Sequence, residues 1–142
     1  MKLARDSLQG DFIVSNCDVI LRAPYAAVYE RHLAKDAALT LLSSIQHYTF
    51  PYGVVEFEEG GHITGLREKP EFSFPINSGV YILNPRCLDY IPESGMYHMT
   101  DLIQDLIEDG QTVLTYPVNE NDVIDIGQWQ EYRKSTRLLH EN

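Results

Sequence analysis

PYGVVEFEEGGHITGLREKPEFSFPINSGVYILN, residues 51 to 84, contains three strand-like runs. A turn at Glu59, Gly60 and Gly61 separates the first two, and a loop from Pro70 to Pro75 precedes the third. Val54, Val55, Phe57, Ile63, Leu66, Val80, Ile82 and Leu83 are β-branched or large apolar residues, suited to a pleated and mostly buried surface. Gly53, Glu68, Lys69, Asn77 and Gly79 interrupt that pattern, being polar or lacking a side chain. Inside a buried sheet such residues need a partner or a ligand. The spacing predicts an antiparallel hairpin closed by the EEGG turn, followed by NSGVYIL, residues 77 to 83, returning to a larger sheet.

Toward the N-terminus, DFIVS (11 to 15) is a short apolar run that ends in Asn16, Cys17 and Asp18. A carboxylate just past the carboxyl end of a buried strand stands where open α/β sheets place ligands, which makes Asp18 the first candidate site residue. The same position also suits a loop aspartate that accepts hydrogen bonds from nearby backbone amides. Pro24 is placed to open a helix whose inner stripe is Tyr25, Val28, Tyr29, His32 and Leu33. His32 has no metal-type companion at helical spacing and reads as a packed or capping histidine. AALTLLSSI (37 to 45) reads as a buried strand, and the strand-helix-strand order predicts a parallel pair with a right-handed crossover.

Toward the C-terminus, Pro85 to Pro92 forms a short connection. Met99, Leu102, Ile103, Leu106 and Ile107 trace a second amphipathic helix, with Thr100 as its expected cap and Gly110 at its end. TVLTYPV (112 to 118) is another strand. In VIDIG, Asp125 is flanked by Val123, Ile124 and Ile126, an acidic residue in an apolar patch that needs a metal, a lysine or several amides. Gly127 allows a tight turn into a final helix with Trp129, Tyr132, Thr136 and Leu139 on its inner stripe.

The 142 residues, 44% of them hydrophobic, suffice for one domain with a real core. With 21 acidic against 11 basic residues the net charge is -10, which speaks against nucleic acid or an anionic membrane as partner. There is no apolar run of membrane-spanning length and no secretory block in the opening residues, so cytoplasm is the expected compartment. Cys17 and Cys87 lack neighbouring ligands at zinc spacing and are expected to be buried thiols.

Taken in order, the strand ending N-C-D, then P-Y-G-V-V-E, E-K-P, I-N-S-G-V-Y-I-L, M-T-D-L-I and V-I-D-I-G resemble the sugar-phosphate nucleotidyltransferases from about Gly10 to Leu139. Each piece alone is weakly specific, but the ordered set is not. It is most similar to the sugar-1-phosphate guanylyltransferases. The resemblance implies an α/β fold, a Rossmann-like mixed sheet with helices on both faces, of the nucleotide-diphospho-sugar transferase type. It implies transfer of a nucleoside monophosphate from an NTP to a sugar 1-phosphate, with release of pyrophosphate. Asp18 and Asp125 would then hold Mg²⁺, Lys69 would contact the sugar phosphate, and Glu68 the sugar hydroxyls. Gly53 and Gly79 would admit the sugar to the backbone, and Asn77 and Tyr81 would line its other side. An ion pair between Lys69 and either aspartate, tying loops together, is the purely structural alternative.

The family's glycine-rich, arginine-bearing phosphate loop and its base-reading segment do not occur here. Residues 1 to 142 are therefore expected to be a single partial domain, the later part of a catalytic unit without its N-terminal strands. Loop amides hold the phosphates in such folds, so the chain alone is expected to turn over little or nothing. The strand at FIVSN is expected to have a bare edge, and a homo-oligomer that covers this edge follows. A non-catalytic remnant that binds sugar phosphate or mediates oligomerisation is the competing expectation.

Overall fold

The computed structural model describes residues 1 to 127. A four-stranded mixed sheet carries the fold, in the order β1 (Phe12–Ser15), β6 (Glu71–Leu83), β3 (Leu39–Thr49), β7 (Val113–Asn119). β3 runs antiparallel to β6 and parallel to β7, while β1 runs antiparallel to β6 along its other side. The expected strand-helix-strand unit is present, but its two strands do not pair. β6 lies between β1 and β3, because its unbroken buried run from Ser78 to Leu83 suits the centre of a sheet covered on both faces.

Alternation along β6 sends side chains to two cores. Tyr81 and Leu83 join Leu39, Cys87, Leu102 and Leu106 on one face, under α2 (Met99–Glu108). Val80 and Ile82 join Leu42, Val118, Leu21 and Val28 on the other, under α1 (Tyr25–Ala34). Both expected helices exist and they cover opposite faces of the sheet. Leu33 and Ile107, placed on the inner stripes by spacing, are instead 52% and 53% exposed because each lies at the margin of its stripe. The Asp101 carboxylate accepts from the His98 backbone N–H at 2.7 Å, so α2 is capped at His98 and not at Thr100. Gly110 ends the helix at φ 71° as expected.

Two smaller ribbons complete the chain. β2 (Val19–Leu21) pairs antiparallel with β8 (Val123–Asp125), and β4 (Val54–Phe57) with β5 (Ile63–Arg67). The EEGG turn is formed, with Gly60 and Gly61 at φ 93° and 82°. The segment expected as a loop from Pro70 to Pro75 is strand instead, since β6 starts at Glu71 and pairs with β3 out to Thr49. β7 stops opposite Ile45, so from Gln46 outward β3 and β6 form a two-stranded arm.

The hairpin is not the buried surface that its composition predicts. Val55, Phe57, Ile63 and Leu66 are 47%, 70%, 70% and 67% exposed. Composition shows that residues suit a sheet, but not whether a second layer covers it. Cys87 is buried as expected, whereas Cys17 is exposed on the turn before β2. The helix expected around Trp129, Tyr132, Thr136 and Leu139 lies outside the described residues.

Candidate active site

The middle of β6 is built around a bulge. Leu42 pairs with Val80 and Ser43 with Asn77, leaving Ser78 and Gly79 without partners on β3. The Ser78 hydroxyl donates to the Leu42 carbonyl at 2.6 Å, and the Asn77 Oδ1 accepts from the Gly79 N–H at 2.8 Å. Gly79 sits at φ 78°, and a Cβ there would meet the Asn16 amide nitrogen at 2.6 Å. Only glycine fits. The Asn77 amide and the Tyr81 hydroxyl are hydrogen-bonded at 2.9 Å, and Tyr81 is only 4% exposed. The N-S-G-V-Y run is thus a self-braced corner, and Asn77 is held before any ligand arrives.

β2 and β8 bring the two aspartates to this corner. Val19 pairs with Asp125, and the Ile126 N–H donates to the Asp18 carbonyl at 2.8 Å, so the two acids flank one end of a short ribbon. Asp18 Oδ2 and Asp125 Oδ1 lie 2.8 and 3.1 Å from the point a Cβ on Gly127 would occupy. They are therefore no more than about 6 Å apart, the sum of those two distances. Any side chain at residue 127 would fill the space between them. Asp125 itself is exposed, contrary to the apolar setting its neighbours suggest, although Ile124 is buried and Val123 packs against the core under α1. Its Oδ1 accepts from the Gly127 N–H at 2.9 Å.

A cavity of about 1010 Å³ opens between this ribbon and the bulge, lined by Asp18, Asn77, Gly79, Tyr81 and Asp125 among the expected site residues. Asn16, Arg22, Ser44, Gln46 and Glu120 also line it and were not singled out from sequence. Arg22 follows Asp18 at the far end of β2, and Glu120 precedes β8, so adjacency to V-I-D and N-C-D was the available signal. Charges at the cavity wall are Asp18, Asp125 and Glu120 against Arg22. An anionic ligand would be repelled unless a cation came with it.

Gly53, Glu68 and Lys69 form a second group, at the outer end of the arm. A Cβ on Gly53 would touch Glu68 Oε2 at 3.0 Å, so those two are neighbours across the hairpin base. Lys69 is exposed and stands at φ 44°, a left-handed conformation uncommon for a side chain of its size. Six residue steps along β6 take the chain from Glu71 to Asn77, about 20 Å of extended strand, and Lys69 does not line the cavity. Among the described residues no ion pair joins Lys69 to Asp18 or Asp125. The structure brings the two acids together and leaves the lysine apart.

His32 is fully buried, with Nδ1 2.8 Å from the Thr40 hydroxyl and Nε2 3.4 Å from Asp11 Oδ2. Burial lowers its pKa below the ordinary imidazole value, against the opposing pull of Asp11. Burial pushes the Cys87 thiol up to about 11. Both are buried, and neither lines the cavity.

The family model for nucleotidyl transferases matches residues 1–142 in full. The chain belongs to that family. It is 31% identical over 134 residues to a UTP--glucose-1-phosphate uridylyltransferase of Synechocystis, covering 89% of this chain and 34% of that protein. It is 34% identical to a mannose-1-phosphate guanyltransferase of Schizosaccharomyces pombe, covering 97% of this chain and 39% of that protein. The chain thus spans between a third and two fifths of the length of these relatives. HddC from Yersinia pseudotuberculosis shares the fold with a TM-score of 0.68 at 23% identity, over 97% of this chain and 60% of that one. The α/β mixed sheet with helices on both faces is therefore the family's architecture.

Proposed function

We propose that this chain is part of an enzyme that transfers a nucleoside monophosphate from an NTP to a sugar 1-phosphate and releases pyrophosphate, in the cytoplasm, with Mg²⁺. One observation carries the proposal: two carboxylates from distant parts of the sequence converge on the space beside Gly127, at the wall of a cavity whose other side is the braced N-S-G corner. Among the described residues no cluster of three or more histidine, cysteine, aspartate or glutamate side chains could hold a metal. Two hard oxygen donors beside an open cavity nevertheless fit Mg²⁺, which usually takes one or two carboxylates and completes its shell with water and phosphate oxygens. Bound there, Mg²⁺ would offset the acidity of the wall and spread charge on the reacting phosphate.

The chain's own residues would do the positioning. Asn77 and the backbone at Gly79 present a fixed polar edge to the sugar, held by Tyr81 and Ser78, so little side-chain freedom is lost on binding. Arg22 supplies a cation at the cavity wall. Lys69, Glu68 and Gly53 would take the sugar phosphate and hydroxyls, which requires the arm to curl toward the cavity. The left-handed backbone at Lys69 supports a functional role, because such a conformation is maintained against a cost of about 1 kcal/mol or more. Several relatives are named mannose-1-phosphate guanylyltransferases, which favours guanine and a mannose-type sugar. The outer edge of β1 has no strand partner among the described residues, which favours self-association there. No helix among the described residues is long and apolar enough to cross a membrane.

Calorimetric titration of mannose 1-phosphate with and without Mg²⁺ tests the site. Asp18→Asn and Asp125→Asn should each weaken the Mg²⁺-dependent binding by ~10-fold or more. Binding that neither substitution alters would sink the assignment. In the full-length enzyme, Lys69→Ala should raise KM for the sugar phosphate and lower kcat. A variant with unchanged kinetics removes Lys69 from the site while leaving the aspartate pair intact.

A further inference from the structure

We propose that the outer face of the β4–β5 hairpin is a self-association surface, paired with the same face of a second copy of this chain. Val55 pairs with Leu66 and Phe57 with Ile63, so these four apolar side chains share one face of the ribbon. Each is between 47% and 70% exposed. The opposite face carries Glu56 and Arg67, joined by an ion pair at 2.9 Å, and the Arg67 guanidinium lies 5.5 Å from the centroid of the Phe72 ring on the arm. The hairpin therefore carries this half-exposed charged pair on the face that meets the arm and the four hydrocarbon side chains on the other. That is the reverse of the usual order for a solvated ribbon. Turning the apolar face inward would break both the ion pair and the Arg67–Phe72 contact.

A two-stranded hairpin is marginally stable in water unless its apolar face is packed. At about 100–200 Å² for each fully exposed side chain, the four residues offer roughly 400 Å² of apolar area. A stable interface buries about 800 Å² per partner, a little over half of it apolar, or about 450 Å². The hairpin face supplies nearly all of this. Glu68 borders the face at the hairpin base, its Oε2 3.0 Å from where a Cβ on Gly53 would stand, while the two cross-strand pairs at its centre carry no charge of their own. A flat patch of two cross-strand pairs is also compatible with a two-fold axis, in which each residue meets its symmetry mate's neighbours. Two copies, each of net charge -10, repel at long range, so association should strengthen with salt. This surface is separate from the β1 edge.

Sedimentation velocity of the 142-residue chain should show a dimer of twice the 16.3 kDa chain mass, tightening between 50 and 500 mM salt (about a tenfold range). Phe57→Glu and Ile63→Lys should each weaken it ~100-fold with an unchanged circular dichroism spectrum, since both side chains are exposed. In an Ile13→Lys background, which disables the β1 edge, the dimer should persist and Phe57→Glu should still weaken it. A monomer at all concentrations overturns the proposal, as does a dimer lost on Ile13→Lys but kept in Phe57→Glu. If a variant ending at Gly127 dimerises while the full chain does not, residues 128 to 142 cover the face and the second copy is ruled out.

Discussion

β6 runs through two environments. From Ser78 to Leu83 it is buried on both faces, between β1 and β3 and beneath both helices. From Glu71 to Asn77 it pairs with β3 alone and its side chains are largely exposed. The residue types hardly differ: Val80, Ile82 and Leu83 at one end, Phe72, Phe74 and Ile76 at the other. What changes is the neighbour. β7 ends opposite Ile45, and neither core extends past that point. The aromatic rings of the arm pack on one another instead, Tyr48 with Phe74 at 6.1 Å and Phe50 with Phe72 at 6.3 Å between centroids. The candidate aspartate pair lies at the boundary between these regions, and Lys69 lies at the end of the naked one.

Paired truncations should expose the contrast most strongly. Ile82→Ala removes a fully buried side chain and should cost about 2–5 kcal/mol in chemical denaturation. Ile63→Ala, the same substitution on the exposed hairpin, should cost less than about 0.5 kcal/mol under conditions where the chain is monomeric. Equal losses would mean that the hairpin is covered within the same chain.

At the boundary, Gly79→Ala should cost about 2–3 kcal/mol, because the new methyl meets the Asn16 side chain and the backbone must hold φ 78°. Thermal unfolding should show it. An unchanged melting temperature would mean that the bulge relaxes.

Thiol chemistry separates the regions on a smaller scale. Cys17 is exposed and should react with a disulfide reagent in the native protein. Cys87 is buried and its thiol is held near 11, so it should react only after unfolding. Two thiols titrating in the native state would contradict the closed core beneath α2.

The smallest expected effect is with pH. His32 is held neutral by burial, so its folded pKa lies below the ordinary value of about 6.5 and the unfolded chain binds the extra proton more readily. Its contribution to stability is complete above that value and is lost as pH falls below it. His32→Gln should flatten this part of the stability profile between about pH 7 and 5. A slope that is the same in wild type and variant would assign it to other groups.

Both helices, the hairpin turn and most strands were legible in the sequence, because periodicity, glycine placement and helix-ending signals are local properties. Asp18, Asn77, Gly79, Tyr81 and Asp125 were legible as a set through their motifs, and the fold places them around one cavity. Gln46 escaped notice because its only credential is proximity after folding, and Arg22 and Glu120 because their one sequence signal was nearness to N-C-D and V-I-D. The exposure of Asp125 was misread for a similar reason: apolar neighbours in sequence need not be neighbours in the core.

The sequence by itself determined the order of the elements, the acidic charge and the glycine at residue 79, since each follows from side-chain chemistry within a few residues. Only the tertiary structure decided that β6 separates β1 from β3, that the apolar hairpin turns outward, and that two aspartates more than a hundred residues apart meet beside Gly127. Strand pairing and layer coverage are contests between distant segments for the same edge or face, and a linear pattern does not rank the contestants.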